Sequence, residues 1–245
     1  MKIDAFLLCY NEEKIIRHTL SYYSLFCTNI TILDNESTDG SIAIAKSCYP
    51  EVVIKTFSTN QQCREDIQTE MRNNCWKNSD ADYVIVCDMD ELLYSPDIQL
   101  SLEIARKNRT ALPVTYGYDM VSDEFPCNHD KLITEQIKFG MRNRMFDKPI
   151  IFSPERILNI NFSPGSHYCI PEFKDVEQIE SLVEFKLLHY KYLGKEYLYK
   201  KHEYLAKRLS EFNKEGTYGH EYAEGKKHID EVFERARQHR YKVID

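Results

Sequence analysis

Residues 83–91 read YVIVCDMDE, five apolar or aromatic positions followed by four of which three carry carboxylates. A short, β-branched apolar run fits a strand buried on both faces, and the abrupt change to charge marks where the chain leaves the sheet. Residues 3–13, IDAFLLCYNEE, and residues 29–41, NITILDNESTDGS, repeat the design of an apolar run released into a polar cluster. Between these runs the apolar spacing turns helical. Ile15, Ile16, Leu20, Tyr23 and Leu25 follow Asn11 as a candidate N-cap with Glu12 and Glu13 in the first turn, and shorter helices are expected over 42–47, 64–76 and 98–107. Further strands are expected at 52–57 and 111–116.

Strand-then-helix alternation predicts an α/β fold with a Rossmann-like, mostly parallel central sheet flanked by helices. Beyond residue 116 the alternation fades into short strands punctuated by Pro126, Pro149, Pro154, Pro164 and Pro171. A last strand is expected at 184–189, then helical spacing over 192–212, a break at EGTYGHE and a final helix over 223–239, which together form a C-terminal helical segment. The 245 residues fit one domain: a first half at 1–116, a second at 117–190 and a tail at 191–245. In open α/β sheets ligands bind beyond the carboxyl ends of the strands. YNEE, DNES and DMDE are therefore expected on one rim.

Composition narrows the function classes. The net charge of -7 disfavours a nucleic-acid binder, which needs clustered positive charge. Residues 191–245 are nonetheless net basic, with 13 basic and 10 acidic side chains, against 19 and 29 in the first 190. Such a tail suits a phosphate or an anionic membrane surface, and equally a solvated helical face. The eight cysteines show no CxxC spacing and read as reduced thiols. No apolar run reaches the roughly 18 residues of a spanning helix, and the opening residues turn polar too soon for a signal peptide. The expected location is the cytoplasm, including the inner face of the membrane.

Asp88 and Asp90, alternating at a strand end, can turn both carboxylates toward one hard cation, Mn²⁺ or Mg²⁺, that bridges the chain to a diphosphate. The competing reading is an acidic loop. Asp34, with Asn35, can accept from a nucleobase while Ser37 and Thr38 cap the following helix. Tyr10 can stack on a base, and Asn11 can bond to it or merely cap. Arg72 offers a cation late in the third helix. His189 and His167 are imidazoles able to complete a metal site.

Taken together, CYNEE, LDNESTDGS, MRNN and VIVCDMDEL resemble the nucleotide-sugar half of family 2 glycosyltransferases with the GT-A fold. GYDMVSDEFP, KPIIF, PGSHY, LLHYKYLGKEY, KKHEYLAKRLS and EGTYGHEY resemble a bacterial branch of that family. The resemblance implies transfer of a sugar, with inversion, from a nucleoside diphosphate donor, first of all a UDP-sugar, to a glycan or lipid-linked acceptor in cell-surface polysaccharide synthesis. It implies that Tyr10, Asn11, Asp34 and Arg72 bind the nucleoside and that Asp88 and Asp90 hold the diphosphate through the metal. It also implies that a C-terminal histidine completes the metal site, which maps best to His189, with His167 as competitor. Arg208 or Lys201 would neutralise the leaving diphosphate. A general base is expected among Asp123, Asp119 and Glu124, with Asp123 preferred. Two alternatives stay open: a nucleotidyltransferase that makes nucleotide sugars, disfavoured because YNEEK is neither Gly-rich nor basic, and a non-catalytic sugar- or nucleotide-binding module.

Overall fold

The structure, a computed structural model, describes residues 1–175 and 181–245. Its first part runs β1 (Ile3–Cys9), α1 (Ile16–Tyr23), β2 (Asn29–Asp34), α2 (Ser41–Cys48), β3 (Val53–Thr56), α3 (Glu65–Asn74) and β4 (Tyr83–Asp88). There follow β5 (Glu91–Tyr94), α4 (Ile98–Lys107), β6 (Val114–Ser122), α5 (Ile133–Gln136), β7 (Phe139–Arg142), β8 (Ile151–Phe152), β9 (Ile157–Asn159) and β10 (Glu172–Phe173). The last part is β11 (Glu184–Leu193), α6 (Lys195–Lys207), α7 (Glu211–Glu215), α8 (Gly225–His239) and β12 (Tyr241–Lys242).

One sheet has the order β3-β2-β1-β4-β8, parallel except for β8. Its central strand β1 explains why the run at 5–9, which follows Asp4, is continuously apolar. Ala5, Leu7 and Cys9 enter one core cluster while Phe6 and Leu8 enter another on the opposite face, so neither side meets water. The order reverses at β1, which opens a crevice beyond the carboxyl ends of β1, β2 and β4. This architecture is the α/β arrangement expected from the sequence.

A second sheet, ordered β12-β7-β6-β11-β5, pairs β6 and β11 in parallel and is otherwise antiparallel. Leu93, Leu187 and Leu188 of this sheet share a core cluster with Leu7, Ile32 and Ile85 of the first. The site therefore lies where two sheets meet.

Four boundaries differ from the sequence reading. The strand expected at 111–116 is β6, which starts at Val114, after Pro113 whose missing N–H cannot join a ladder, and lies in the second sheet. The chain does not loop away after DMDE but re-enters a sheet as β5, where Leu92 and Leu93 are buried. Asn11 is not the N-cap of α1, which starts at Ile16; it sits at φ 54° and turns its side chain toward the loop after β2. The helical spacing from 192 splits, because β11 continues to Leu193 and Gly194, at φ 83°, makes the corner into α6.

Candidate active site

The ends of β1, β2, β4 and β11, with α6 and the segment that follows it, surround a cavity of about 640 Å³. Tyr10, Asn35, Arg72, Asp88, Asp90, His167, His189, Lys201 and Arg208 all line it.

Asp88 closes β4 and is gripped from two directions. Arg72 Nη2 donates to its Oδ1 at 2.7 Å, and Lys148 Nζ stands 3.7 Å from Oδ2. Burial favours the neutral acid, but these two cations override it and hold Asp88 below the usual carboxylate range. Arg72, 3% exposed, also reaches Glu65 Oε2 at 3.4 Å. Lys148 donates to Glu91 Oε1 at 2.5 Å, and Glu91 Oε2 accepts from the Asp88 amide at 3.1 Å, closing the acidic turn on itself.

Asp90 points into the cavity. Its Oδ2 accepts from Lys201 Nζ at 2.8 Å and lies 3.6 Å from His189 Nε2. Against the effect of burial, Lys201 and then His189 keep the Asp90 carboxyl well below its ordinary range. Lys201 also meets Glu12 Oε1 at 3.0 Å. Burial pushes Glu12 up to about 7 despite that ammonium, with the Asp90 charge adding to the rise.

His189 is placed by register: β11 aligns it with Glu91 of β5 on one side and with Asp119 of β6 on the other. Its Nδ1 donates to Asp119 Oδ1 at 2.8 Å, and Asn143 Nδ2 donates to Asp119 Oδ2 at 2.8 Å. Burial works against a charged ring, and Asp90 and Asp119 override it, pushing His189 up to about 9. Phe146 stacks on the ring, with centroids 4.0 Å apart and planes 18° from parallel. That stack depends on Gly117, because a Cβ there would lie 2.3 Å from the Phe146 carbonyl carbon.

The remaining expected residues divide. Tyr10 faces Arg208, whose guanidinium carbon lies 3.2 Å from the ring centroid and whose Nε donates to the Gln61 carbonyl at 2.9 Å. Asn35 is a clamp inside the rim: it accepts from the Thr59 amide at 3.1 Å and its Nδ2 donates to Thr59 Oγ1 at 2.9 Å. Asp34 and Asn11 do not line the cavity. Asp34 Oδ1 accepts from the Ser37 amide at 3.1 Å, and Asn11 Oδ1 accepts from the Thr38 amide at 2.7 Å, so both shape the loop after β2. His167 lines the mouth and donates Nδ1–H to the Met145 carbonyl at 2.7 Å; among the described residues no ion pair joins it to Asp88 or Asp90.

The expectations for the base are corrected. β6 runs nine residues to Ser122 and carries Asp123 past the cavity to an exposed surface, where Arg237 Nε at 2.8 Å and Arg240 Nη2 at 3.1 Å hold it. Glu124 is likewise exposed and outside the cavity lining. Asp119 is 2% exposed behind His189, hydrogen-bonded to its ring and outside the cavity lining. Glu12, Glu65 and Lys148 are site residues that the sequence reading did not single out.

Carboxylate and imidazole donors suit Mn²⁺, and a metal-binding histidine characteristically gives its other N–H to a carboxylate, as His189 does to Asp119. Asp90 and His189 are the converging donors, with Asp88 the second carboxylate of the pair. Among the described residues no three ligating side chains enclose an ion by themselves. The donor chemistry nevertheless fits.

The family model described as "Glycosyl transferase family 2" matches residues 4–160. The chain belongs to glycosyl transferase family 2. An uncharacterized glycosyltransferase of Rickettsia bellii aligns with it over 204 residues at 24% identity, covering 79% of the chain and 60% of the relative. One from Rickettsia conorii is 26% identical over 153 residues, covering 62% and 45%. The chain thus spans at most about three-fifths of the length of these curated relatives. Among solved structures, residues 1–349 of Staphylococcus aureus TarS align at a TM-score of 0.48 and 13% identity, over 85% of this chain and 65% of that one.

Proposed function

We propose that this family 2 chain is an inverting, metal-dependent glycosyltransferase that moves a sugar from a nucleoside diphosphate, with UDP-sugars the first donors to test, onto a glycan or lipid-linked hydroxyl. The observation that carries the reading is the line Asp119–His189–Asp90 at the cavity wall, an oriented imidazole beside a carboxylate. Asp90 and His189, with Asp88, would hold Mn²⁺ or Mg²⁺, and the ion would neutralise charge on the departing diphosphate. His189 would offer the ion its Nε2 lone pair, the proton that Asp90 favours there passing to solvent.

The chain's own groups supply the rest. Tyr10 and Arg208 form the stacking end for the nucleobase, and Asn35 stiffens the loop beneath it. Lys201 and Arg208 are the cations that would meet phosphoryl oxygens: both line the cavity, Lys201 can exchange a carboxylate for them, and among the described residues no ion pair engages Arg208. The acceptor oxygen attacks the anomeric carbon as the bond to the diphosphate oxygen breaks, and a base must take the hydroxyl proton. His167 is the base favoured here: the Met145 carbonyl can only accept, so Nδ1 carries the hydrogen, and in the neutral ring Nε2 holds the lone pair. Residues 1–116 thus serve the donor, 117–190 the acceptor and chemistry, and 191–245 close the site. A peripheral stay at the cytoplasmic membrane face suits the basic tail; no described helix is long and apolar enough to cross a membrane.

The test is thermal protection. UDP should raise the melting temperature only with Mn²⁺ or Mg²⁺ present, and Asp90→Ala should abolish the effect. Metal-independent protection, or full protection in Asp90→Ala, would falsify the metal assignment. Release of pyrophosphate from a nucleoside triphosphate and sugar phosphate would instead mark a nucleotidyltransferase.

A further inference from the structure

One oxygen, Asp90 Oδ2, is claimed by two groups. It stands 3.6 Å from His189 Nε2 and accepts from Lys201 Nζ at 2.8 Å, while the same ammonium reaches Glu12 Oε1 at 3.0 Å. Lys201 is only 17% exposed at its side chain, and the carboxylates of Glu12 and Asp90 are 13% and 10% exposed. The ammonium therefore bridges two largely buried acids at the position that the metal reading gives to a divalent ion. Two cations in contact with one carboxylate oxygen repel strongly where water is scarce.

We propose that Lys201 is the resident counter-ion of the metal seat. In the donor-free protein it compensates Asp90 and Glu12 and latches α6 over the cavity, and a divalent cation enters by displacing it. This inference rests on the metal reading above and deepens it. The fold supports the coupling: β11 passes through Gly194 directly into α6, so His189 and Lys201 approach Asp90 from one continuous stretch of chain. On the same helix, Leu198, His202, Tyr204 and Leu205 also line the cavity, so release of Lys201 frees a whole wall. Without Lys201, Glu12 and Asp90 face each other with no ammonium between them, and a doubly charged ion relieves that better than a singly charged one.

The test titrates Mn²⁺, followed by the loss of its free-ion electron paramagnetic resonance signal, into the full chain without nucleotide. Wild type, Lys201→Met and Asp90→Asn are compared. The expected result is Mn²⁺ binding about tenfold tighter in Lys201→Met than in wild type, and lost in Asp90→Asn. Equal or weaker binding in Lys201→Met, with wild-type binding still dependent on Asp90, overturns displacement and leaves the metal reading standing. No binding by either wild type or Lys201→Met overturns both. Should Lys201→Met fail to fold, hydrogen exchange in the wild type decides: Mn²⁺ alone should speed amide exchange across 195–207, and unchanged or slower exchange there overturns the latch.

Discussion

His189 Nδ1 stands 2.8 Å from Asp119 Oδ1 across one register pair of β6 and β11, and Asn143 holds the other oxygen of that carboxylate at 2.8 Å. The imidazole is thereby fixed in angle, with Nε2 turned to Asp90. Asp119 is a positioning residue, and Asp119→Ala should weaken Mn²⁺ binding by about 10–100-fold while the fold persists. Calorimetric titration of Mn²⁺ checks this; unaltered affinity would remove Asp119 from the site.

Asp123 offers the contrasting case. Its ion pairs with Arg237 and Arg240 are exposed, and pairs of this kind contribute about 0–1 kcal/mol. Asp123→Ala should keep kcat within about twofold of wild type, whereas His167→Ala should lower kcat by about 10²–10⁴-fold if it is the base. Donor hydrolysis or transfer assays on the two variants compare them directly, and the reverse ranking would reinstate Asp123.

Lys148 joins Glu91 and Asp88 with a side chain that is 4% exposed, beside a Glu91 that is 2% exposed. Lys148→Met leaves Glu91 without its cation and Asp88 with Arg72 alone, and breaking a buried pair from one side costs about 3–5 kcal/mol. A urea midpoint close to that of wild type would contradict this account.

His202 ties stability to pH. Burial lowers it to about 4, with Lys191 contributing, against an ordinary 6.5; Glu221 acts in the opposite sense and the Tyr222 ring packs edge-on against it. The folded chain therefore keeps the ring neutral while the unfolded chain protonates it. Stability from this group is complete above pH 6.5 and is lost as pH falls toward 4, in total about 2–3 kcal/mol. His202→Phe should flatten the fall in urea midpoint between pH 7 and pH 4.5, and a slope identical to that of wild type would show that another group carries it.

Much of the sheet was legible because buried parallel strands write themselves as apolar runs ending in charge, as at 3–9 and 83–88. Asp88, Asp90 and Arg72 were visible for the same reason: each sits at or near the end of a regular element whose period can be counted, whereas His189 lies mid-strand in β11. Lys148 had no such marker. It lies in a loop, and only the antiparallel return of β8 beside β4 brings it under Asp88. Asp123 misled because a nine-residue strand and a six-residue one read alike until the partner strand fixes where pairing stops. The Glu12 carboxylate read as a helix-opening charge, since nothing local records a lysine 189 positions away.

Gly117 contacts none of the ionisable groups discussed above, yet the stacking of Phe146 on His189 exists only because no methyl group projects from that position. A substitution there would tilt an aromatic plate and, through it, the bearing of the imidazole. The direction in which the His189 ring faces Asp90 is thus partly written in a missing side chain two residues upstream of Asp119.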